Sequence, residues 1–415
     1  LYLPGTQAIR LYVRIASFAI ALAVLGWVLL KNGPRARPHP ARPWVIAALA
    51  YVSLMVLHPL TSSTTAGLAQ VVLYLSVIAP LFWAPAVIRD PDHAARLMGL
   101  LLVCNGVNAL VGVLQVYDPG RWMPQEVSRI VTESAFGLGA VTYQGPNGLI
   151  VRPPGLFDNP GAVAGPGMYA ALLGVVFAMS AAAPWKRALA LGASFAGIAA
   201  IYLSHVRVSL VVCLVMLASY VAILMAQNRR MRASRVAGTA LVLVVATFAF
   251  ALALGGRSIG ERTWTLVETD PLTLYSASRG DQLVYTFDEL LTVHPLGAGL
   301  GRWGMVGGYF GRGGDPESTP LWAEIQITGW AIDGGLPLLA LSLAALALTL
   351  QSQRHVALRD PDAKVRACAA VALAANLGTA ALVFSFTPFV TQIGVQFWFL
   401  AGAVHGIATR AVRHR

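Results

Sequence analysis

The chain reads as an all-α membrane protein of eleven or twelve transmembrane helices, with two long segments gathered on one side of the bilayer. Three observations predict this. Hydrophobic residues make up 57% of the 415 residues and charged residues 12%, and the mean hydropathy is +0.66. A soluble surface of this extent needs far more charge. Eleven apolar runs, each close to the roughly 20 residues that cross a bilayer core, follow one another along the chain. The basic residues behind the net charge of +12 fall mostly in short linkers between alternate runs, the pattern of cytoplasmic loops. That placement argues against nucleic acid as the partner and for the lipid bilayer.

The runs lie near 11–30, 44–60, 66–88, 97–117, 161–183, 188–206, 207–227, 236–255, 321–350, 367–387 and 389–409. The first is long enough to span, so it is not read as a cleavable signal. Lys31, Arg35, Arg37 and Arg42 mark the first basic linker. Arg89 with Arg96 mark the next on that side, and Lys186 with Arg187 the third. Arg229, Arg230, Arg232 and Arg235 follow, then Arg354, Arg359, Lys364 and Arg366, and last Arg410, Arg413 and Arg415. This alternation puts Leu1 on the opposite side, and a twelfth span ahead of it would return the N-terminus to the basic side.

The chain divides accordingly into N-terminal helices (1–117), a first outer segment (118–160), central helices (161–255), a large outer loop (256–320) and C-terminal helices (321–415). Long loops in an economical bundle are usually functional, and both are rich in Gly, Pro and aromatic residues, as packed loops are. The ninth run contains Gly329, Gly334, Gly335 and Pro337, which predict a break or re-entrant entry before the true span. Cys104, Cys213 and Cys368 all lie in apolar runs and read as small core residues.

Ionisable groups within a span cost about 2.5–3.5 kcal/mol on insertion scales and are functional candidates. Of the 18 acidic residues, Asp90, Asp92, Asp360 and Asp362 fall in basic linkers and twelve fall in the outer segments. Glu324 and Asp333 remain, both in the ninth run. Glu324 is either a base at the membrane rim or an exposed residue just above it. Asp333, beside Gly334, reads as a helix-capping or turn residue. Nine residues of straight helix would set the two on opposite faces, so a two-carboxylate glycosidase site is not expected. Arg207 sits at the outer mouth of the seventh run between Ser204 and Ser209. Positive charge is disfavoured on that side, which points past a snorkelling anchor to a functional cation.

Arg152 lies just before the fifth run, and Arg279 opens an amphipathic stretch that extends to Leu291. Guanidinium forks suit phosphate oxygens. Gly297-Ala298-Gly299-Leu300-Gly301 and Gly307-Gly308 lack the strand, helix and Lys-Ser/Thr of a nucleotide loop. They predict a tight turn that lets backbone approach a neighbour. His294, before Pro295, reads as a turn residue and His205 as a helix-packing histidine. With no Cys, His and carboxylate cluster at ligand spacing, neither a metal site nor a cofactor is expected.

Three stretches together resemble the O-antigen ligase and polymerase superfamily of integral-membrane glycosyltransferases. Arg152–Ala164, with Gly155-Leu156-Phe157-Asp158-Asn159-Pro160, is similar to its Arg…Gly-x-Phe-x-Asn-Pro-Asn signature. Ser204-His205-Val206-Arg207-Val208-Ser209 is similar to its Ser-Arg-small motif at the mouth of a span. Arg279 through Asp288, Glu289 and His294-Pro295-Leu296-Gly297-Ala298-Gly299-Leu300-Gly301 resembles its Arg…Pro-x-x-Gly-x-Gly region. The sequence departs where the family carries a histidine after the large outer loop, for Glu324 stands there. A carboxylate in that place favours a polymerase over a ligase.

The resemblance implies a GT-C-like fold and a bacterial inner-membrane location with the active site facing the periplasm. It implies a donor glycan on undecaprenyl diphosphate and a saccharide acceptor, with a chain-length regulator as a candidate partner. Because such a donor is already activated, no metal or nucleotide is required. Arg207 and Arg279 are then expected to clamp the diphosphate with help from Arg152, and Glu324 to deprotonate the acceptor hydroxyl, inverting the anomeric centre. Asn159, Trp303 and Trp322 are expected to bind substrate, and Trp264, Tyr275 and Tyr309 to offer further sugar-stacking faces. The alternatives from the sequence are an O-antigen ligase acting on lipid A-core and a transporter of anionic solutes. The transporter calls for charged residues deep in several spans and for internal repeat symmetry, and the sequence has neither.

Overall fold

The computed structural model describes residues 7–31, 37–124, 141–145, 148–311 and 321–411. Arg35, Arg413 and Arg415 of the basic linkers lie outside these residues. The main helices are α1 (Gln7–Leu30), α2 (Arg42–Met55), α3 (Thr64–Val87), α4 (Pro91–Tyr117), α5 (Ala164–Ala178), α6 (Pro184–Leu203), α7 (Arg207–Ala226) and α8 (Arg230–Gly255). They continue with α9 (Arg257–Glu268), α10 (Gln326–Arg359), α11 (Ala363–Ala381) and α12 (Gln392–Ala411). Among the described residues, seven helices are long and apolar enough to cross a membrane. Ile15–Leu30, Arg42–Met55 and Ala164–Ala178 are shorter apolar helices. Every apolar run expected from the sequence contains a helix, and the chain is a predominantly helical, multi-pass membrane protein.

The helices cluster into two compact units that cut across the sequential blocks. The first comprises Leu1–Ile15, Asp92–Pro271 and Leu373–Gly378, and the second Ala16–Pro91, Leu272–Ala372 and Thr379–Arg415. In the first unit α5 lies directly against α6. A Cβ on Gly167 would come within 2.7 Å of the Gly197 carbonyl, and one on Gly174 within 2.5 Å of the Ala190 carbonyl. Ser194 Oγ donates to the Ala171 carbonyl at 2.8 Å. Small residues are what allow two helix backbones to approach this closely where lipid offers no hydrophobic drive. A two-stranded antiparallel hairpin, β1 (Thr142–Gly145) with β2 (Gly148–Val151), precedes α5.

In the second unit α2 and α3 pack with α10 and α12, helices far apart in the chain. α10 is not one helix. Gly334 (φ −164°, ψ 21°) and Gly335 (φ 56°, ψ −150°) break it, so Gln326–Asp333 forms a short entering piece and Leu336–Arg359 the long one. This is the break expected in the ninth run, and it falls at Gly334 and Gly335, two of the four residues that predict it. A broken helix leaves amides and carbonyls without partners, which is costly away from water. The glycine-rich turn meets that need. Ala298 N–H donates to the Ile332 carbonyl at 2.7 Å and Leu336 N–H to the Pro295 carbonyl at 2.9 Å.

The turn fits because Gly297, Gly299 and Gly301 hold φ of +109°, +95° and +69°. A Cβ on Gly299 would press 2.5 Å from the Leu60 backbone. Ser62 N–H caps the Leu300 carbonyl at 3.0 Å, and Tyr51 Oη donates to the Leu296 carbonyl at 2.8 Å. The close backbone approach expected of this motif is what the structure contains. His205, by contrast, does not sit in a helix. It holds a left-handed turn at φ +57° between α6 and α7 and is buried there.

Two predictions follow from this architecture. A Cβ on Gly335 would lie 2.1 Å from the Pro295 carbonyl oxygen at a positive φ. Gly335→Ala is therefore expected to cost on the order of 1–3 kcal/mol, read as a lower melting temperature in detergent. Gly192→Ala, mid-helix with nothing within 4 Å of its Cβ, is expected to hold or raise the melt, since Ala favours a helix over Gly by about 0.5–1 kcal/mol. The second concerns His39, in the linker before α2. Its Nδ1 accepts from Ala41 N–H at 3.1 Å, and its ring packs edge-on to that of His405 at 5.0 Å. Burial, and then the neighbouring His405, push His39 from 6.5 down to about 3. The folded state thus refuses a proton that the unfolded chain accepts between those values. Stability is intact above pH 6.5 and falls as pH drops through that window. Melting temperature against pH should show this slope in the parent and a shallower one in His39→Gln.

Candidate functional site

In the second unit Arg279 comes from the π-helical turn Ser276–Gly280, inside a helical run from Pro271 to Val293. The amphipathic stretch expected from Arg279 to Leu291 is part of this run. Glu324 comes from the stretch ahead of α10, one residue before the extended N-cap Ile325. The two side chains form an ion pair, 36% and 28% exposed. They are partly exposed at the surface of the unit rather than sealed in its core.

Gln282, three residues beyond Arg279, fixes the Glu324 backbone. Its Oε1 accepts from Glu324 N–H at 2.8 Å and Ile325 N–H at 3.2 Å, and its Nε2 donates to the Trp322 carbonyl at 3.5 Å. Glu324 also precedes the N-terminus of α10, where aligned peptide dipoles favour negative charge; the first amide there, Gln326 N–H, donates to the Phe386 carbonyl at 2.9 Å. Trp322 is 70% exposed beside it. Tyr275 Oη donates to the Phe384 carbonyl at 2.9 Å. Burial raises the Tyr275 phenol above its ordinary range, and the charge of Arg279 opposes that rise.

Deeper in the same unit, Asp333 is fully buried and accepts three hydrogen bonds. Tyr74 Oη and Gln70 Nε2, both from α3, reach Oδ2 at 2.6 and 3.0 Å, and Trp303 Nε1 reaches Oδ1 at 2.9 Å. Asp333 is therefore not the capping or turn residue that its neighbour Gly334 suggested. It joins α3, the entering piece of α10 and the loop before Gly304–Phe310. Trp303 is only 5% exposed, and a Cβ on Gly329 would lie 2.5 Å from its ring. Its indole is spent on Asp333 and on packing, which corrects its expected role as a sugar platform.

The first unit holds the other two motifs. Arg152 follows β2; its N–H donates to the Val141 carbonyl at 2.7 Å, and its carbonyl accepts from Gly161 N–H at 3.3 Å. Gly161, at φ +71°, is where the motifs meet. A Cβ there would lie 2.8 Å from Val206 Cγ2, 3.3 Å from the Ser204 carbonyl and 3.7 Å from Arg152 Nη2. The Asn159 side chain is exposed on the same turn, and its carbonyl accepts from Ala162 N–H at 3.1 Å. Arg207 is the first residue of α7, half-buried, and its Nη1 donates to Thr265 Oγ1 in α9 at 2.7 Å.

Two amides from α4 hold the Arg152–Pro160 segment in place. Gln115 both donates to and accepts from the Gly155 backbone, at 2.8 and 2.9 Å, and Asn108 Oδ1 accepts from Leu156 N–H at 2.9 Å. Sequence reasoning missed Asn108, Gln115, Gln70, Tyr74 and Gln282 because it counted only ionisable groups. The available signal was a set of uncharged polar residues in apolar runs, with Asn108 and Gln115 seven residues apart and hence on one helix face.

Compared with known proteins, the chain matches no family model and no curated protein. What it does is therefore argued from the two residue clusters themselves.

Asp333→Ala would strand three buried donors, each costing about 1–3 kcal/mol. It is expected to destabilise the protein far more than Tyr74→Phe, which removes a single bond worth about 1 kcal/mol. Thermal or denaturant unfolding in detergent checks the order; equal losses would mean that Asp333 does not organise the network.

Proposed function

We propose that the chain is an integral-membrane glycosyltransferase that polymerises undecaprenyl-diphosphate-linked oligosaccharide repeats at the periplasmic face of the bacterial inner membrane. The partly exposed Arg279–Glu324 pair just ahead of α10 carries this reading. It offers a guanidinium for the diphosphate and a carboxylate for an acceptor hydroxyl, with the exposed indole of Trp322 beside them for a sugar face. The three-part resemblance to the ligase and polymerase superfamily supports the same assignment. Glu324 in place of that family's histidine favours a growing saccharide over lipid A-core as the acceptor.

The proposed step is a displacement. The acceptor hydroxyl oxygen bonds to the anomeric carbon of the donor while its proton passes to Glu324. The bond from that carbon to the diphosphate oxygen breaks, and its electron pair leaves with the diphosphate. Arg279 stabilises the departing charge at a site partly shielded from water, where a fixed cation acts more strongly than in bulk solvent. Attack from the opposite face inverts the anomeric centre. In the first unit, Arg152 and Arg207 offer the same phosphate chemistry around Gly161, with Asn159 as a neutral hydrogen-bonding contact.

Chain extension by purified protein, given lipid-linked repeat units, tests this reading. Arg279→Ala and Glu324→Gln are each expected to lower extension by about 100-fold or more. Arg207→Ala should also lower it, in protein that elutes and melts as the parent does. Full extension by both the Arg279 and Glu324 variants would remove the proposal. Transfer to lipid A-core in place of chain growth would convert it to the ligase.

A further inference from the structure

We propose that the first unit carries, on the side of the basic linkers, a binding site for the phosphate head group of an anionic membrane phospholipid, built where two of those linkers interlock. The site uses neither Arg279 nor Glu324 and does not rest on the transferase reading.

The turn from α5 into α6 is followed by Lys186 and Arg187, and the turn from α7 into α8 brings Arg229, Arg230, Arg232 and Arg235. α8 packs against α6, and the second turn reaches the first. Arg232 Nη2 donates to Ser180 Oγ at 2.7 Å, and Arg187 Nη2 donates to the Ala181 carbonyl at 3.3 Å. Guanidinium groups from both linkers thus meet on two adjacent residues. Asn228, at φ +59°, turns the chain into α8 just ahead of them.

Like charges gathered in this way repel one another unless an anion joins them. Among the described residues, none of the six cations forms an ion pair with a carboxylate, and neither α6 nor α8 has an acidic residue in its first turn. α4 runs alongside, with a Cβ on Gly99 3.6 Å from the Phe177 ring, yet Asp92 at its start pairs with none of them. The linkers around Arg89 and Arg359 differ, for Asp90, Asp92, Asp360 and Asp362 lie within them. Retention of basic residues on one side of a bilayer places such linkers. It does not call for two of them to clasp each other with no acid between.

What surrounds the cations selects the anion. Arg232 is half-buried and acts as the clasp, while Lys186, Arg187, Arg230 and Arg235 are exposed. Beside them Trp185, Leu189 and Met231 are 62%, 66% and 71% exposed, and the Lys186 ammonium lies 5.4 Å from the Trp185 ring centre. Both α6 and α8 are apolar enough to cross a membrane. A phospholipid meets both needs at once. Its phosphate oxygens accept from the guanidinium groups, and its acyl chains cover Leu189 and Met231. A soluble anion would leave those side chains uncovered.

Native mass spectrometry of the detergent-purified full chain, with phosphatidylglycerol or phosphatidylcholine added at equal concentration, counts the bound lipid. The parent should bind phosphatidylglycerol about fivefold more tightly or better, the gain expected from even one cation beside an anionic head group. Arg187→Gln, Arg230→Gln and Arg235→Gln combined should erase that preference. Arg354→Gln with Arg359→Gln, in the linker that contains Asp360 and Asp362, should keep it. Equal affinity of the parent for the two lipids overturns the inference, as does a preference that survives the triple substitution.

If the triple variant melts below the parent, Arg230→Gln with Arg235→Gln decides instead, because it leaves both bonds to the α5–α6 turn in place. An unchanged preference in that pair also overturns the inference. Inorganic phosphate separates the two sources of the same chemistry. If it displaces phosphatidylglycerol at equal concentration, the patch serves a soluble anion and the lipid site is lost. Raising the ionic strength should shrink the preference, because exposed charges are screened; a salt-independent preference counts against the site.

Discussion

The second unit depends on how the break in α10 is healed. A helix interrupted at Gly334 and Gly335 leaves backbone groups without partners, in a part of the chain apolar enough to lie in a membrane. The turn from Pro295 to Gly301 supplies an amide to Ile332 and a carbonyl to Leu336, one on each side of the break. Asp333, the last residue before it, is tied by side-chain hydrogen bonds to Gln70, Tyr74 and Trp303. Backbone and side chain thus fix the entering piece Gln326–Asp333 from both ends of the interruption. Because that piece is fixed, its N-terminus is fixed, and Glu324 is carried with it.

Much of this was legible in the sequence, for physical reasons that differ by element. The helices were visible because crossing a bilayer imposes length and composition together, and residues such as those of α3 or α8 have few other uses. The glycine-rich turn was visible because positive φ and close backbone approach both select glycine, and three such residues alternate between Gly297 and Gly301. The break in α10 was visible for the same reason, to within a few residues. Asp333 was misread because its partners lie 30, 259 and 263 residues away. Local sequence offered only Gly334, and a short polar side chain beside glycine looks like a cap.

Amides were overlooked for a related reason. Asn108 and Gln115 in an apolar run and Gln282 in the large outer loop carry no charge, so a survey of charged groups passes over them. Yet Asn108 satisfies one backbone group, Gln115 two and Gln282 three. Trp303 and Trp322 show the converse difficulty. Both are tryptophans flanking the same long segment, and composition cannot tell that one is 5% exposed and the other 70%. Burial is decided by what packs on the residue, here the space left by Gly329.

The two carboxylates of α10 and its approach show how environment divides labour between like groups. Asp333 is sealed from solvent and met only by neutral donors, each of which would be stranded if it left. Nothing in that arrangement can be exchanged cheaply, which suits a residue that holds three elements together. Glu324 is met by a cation, and both partners are partly exposed. An ion pair so exposed contributes little to stability. A carboxylate whose removal would collapse a network is badly placed to act as a base, because a base must be free to turn, lose its partner and take a proton. Glu324 is not bound into such a network, and this difference, more than nearness to any glycine or aromatic residue, supports the proposed role of Glu324 as the base beside the architectural role of Asp333.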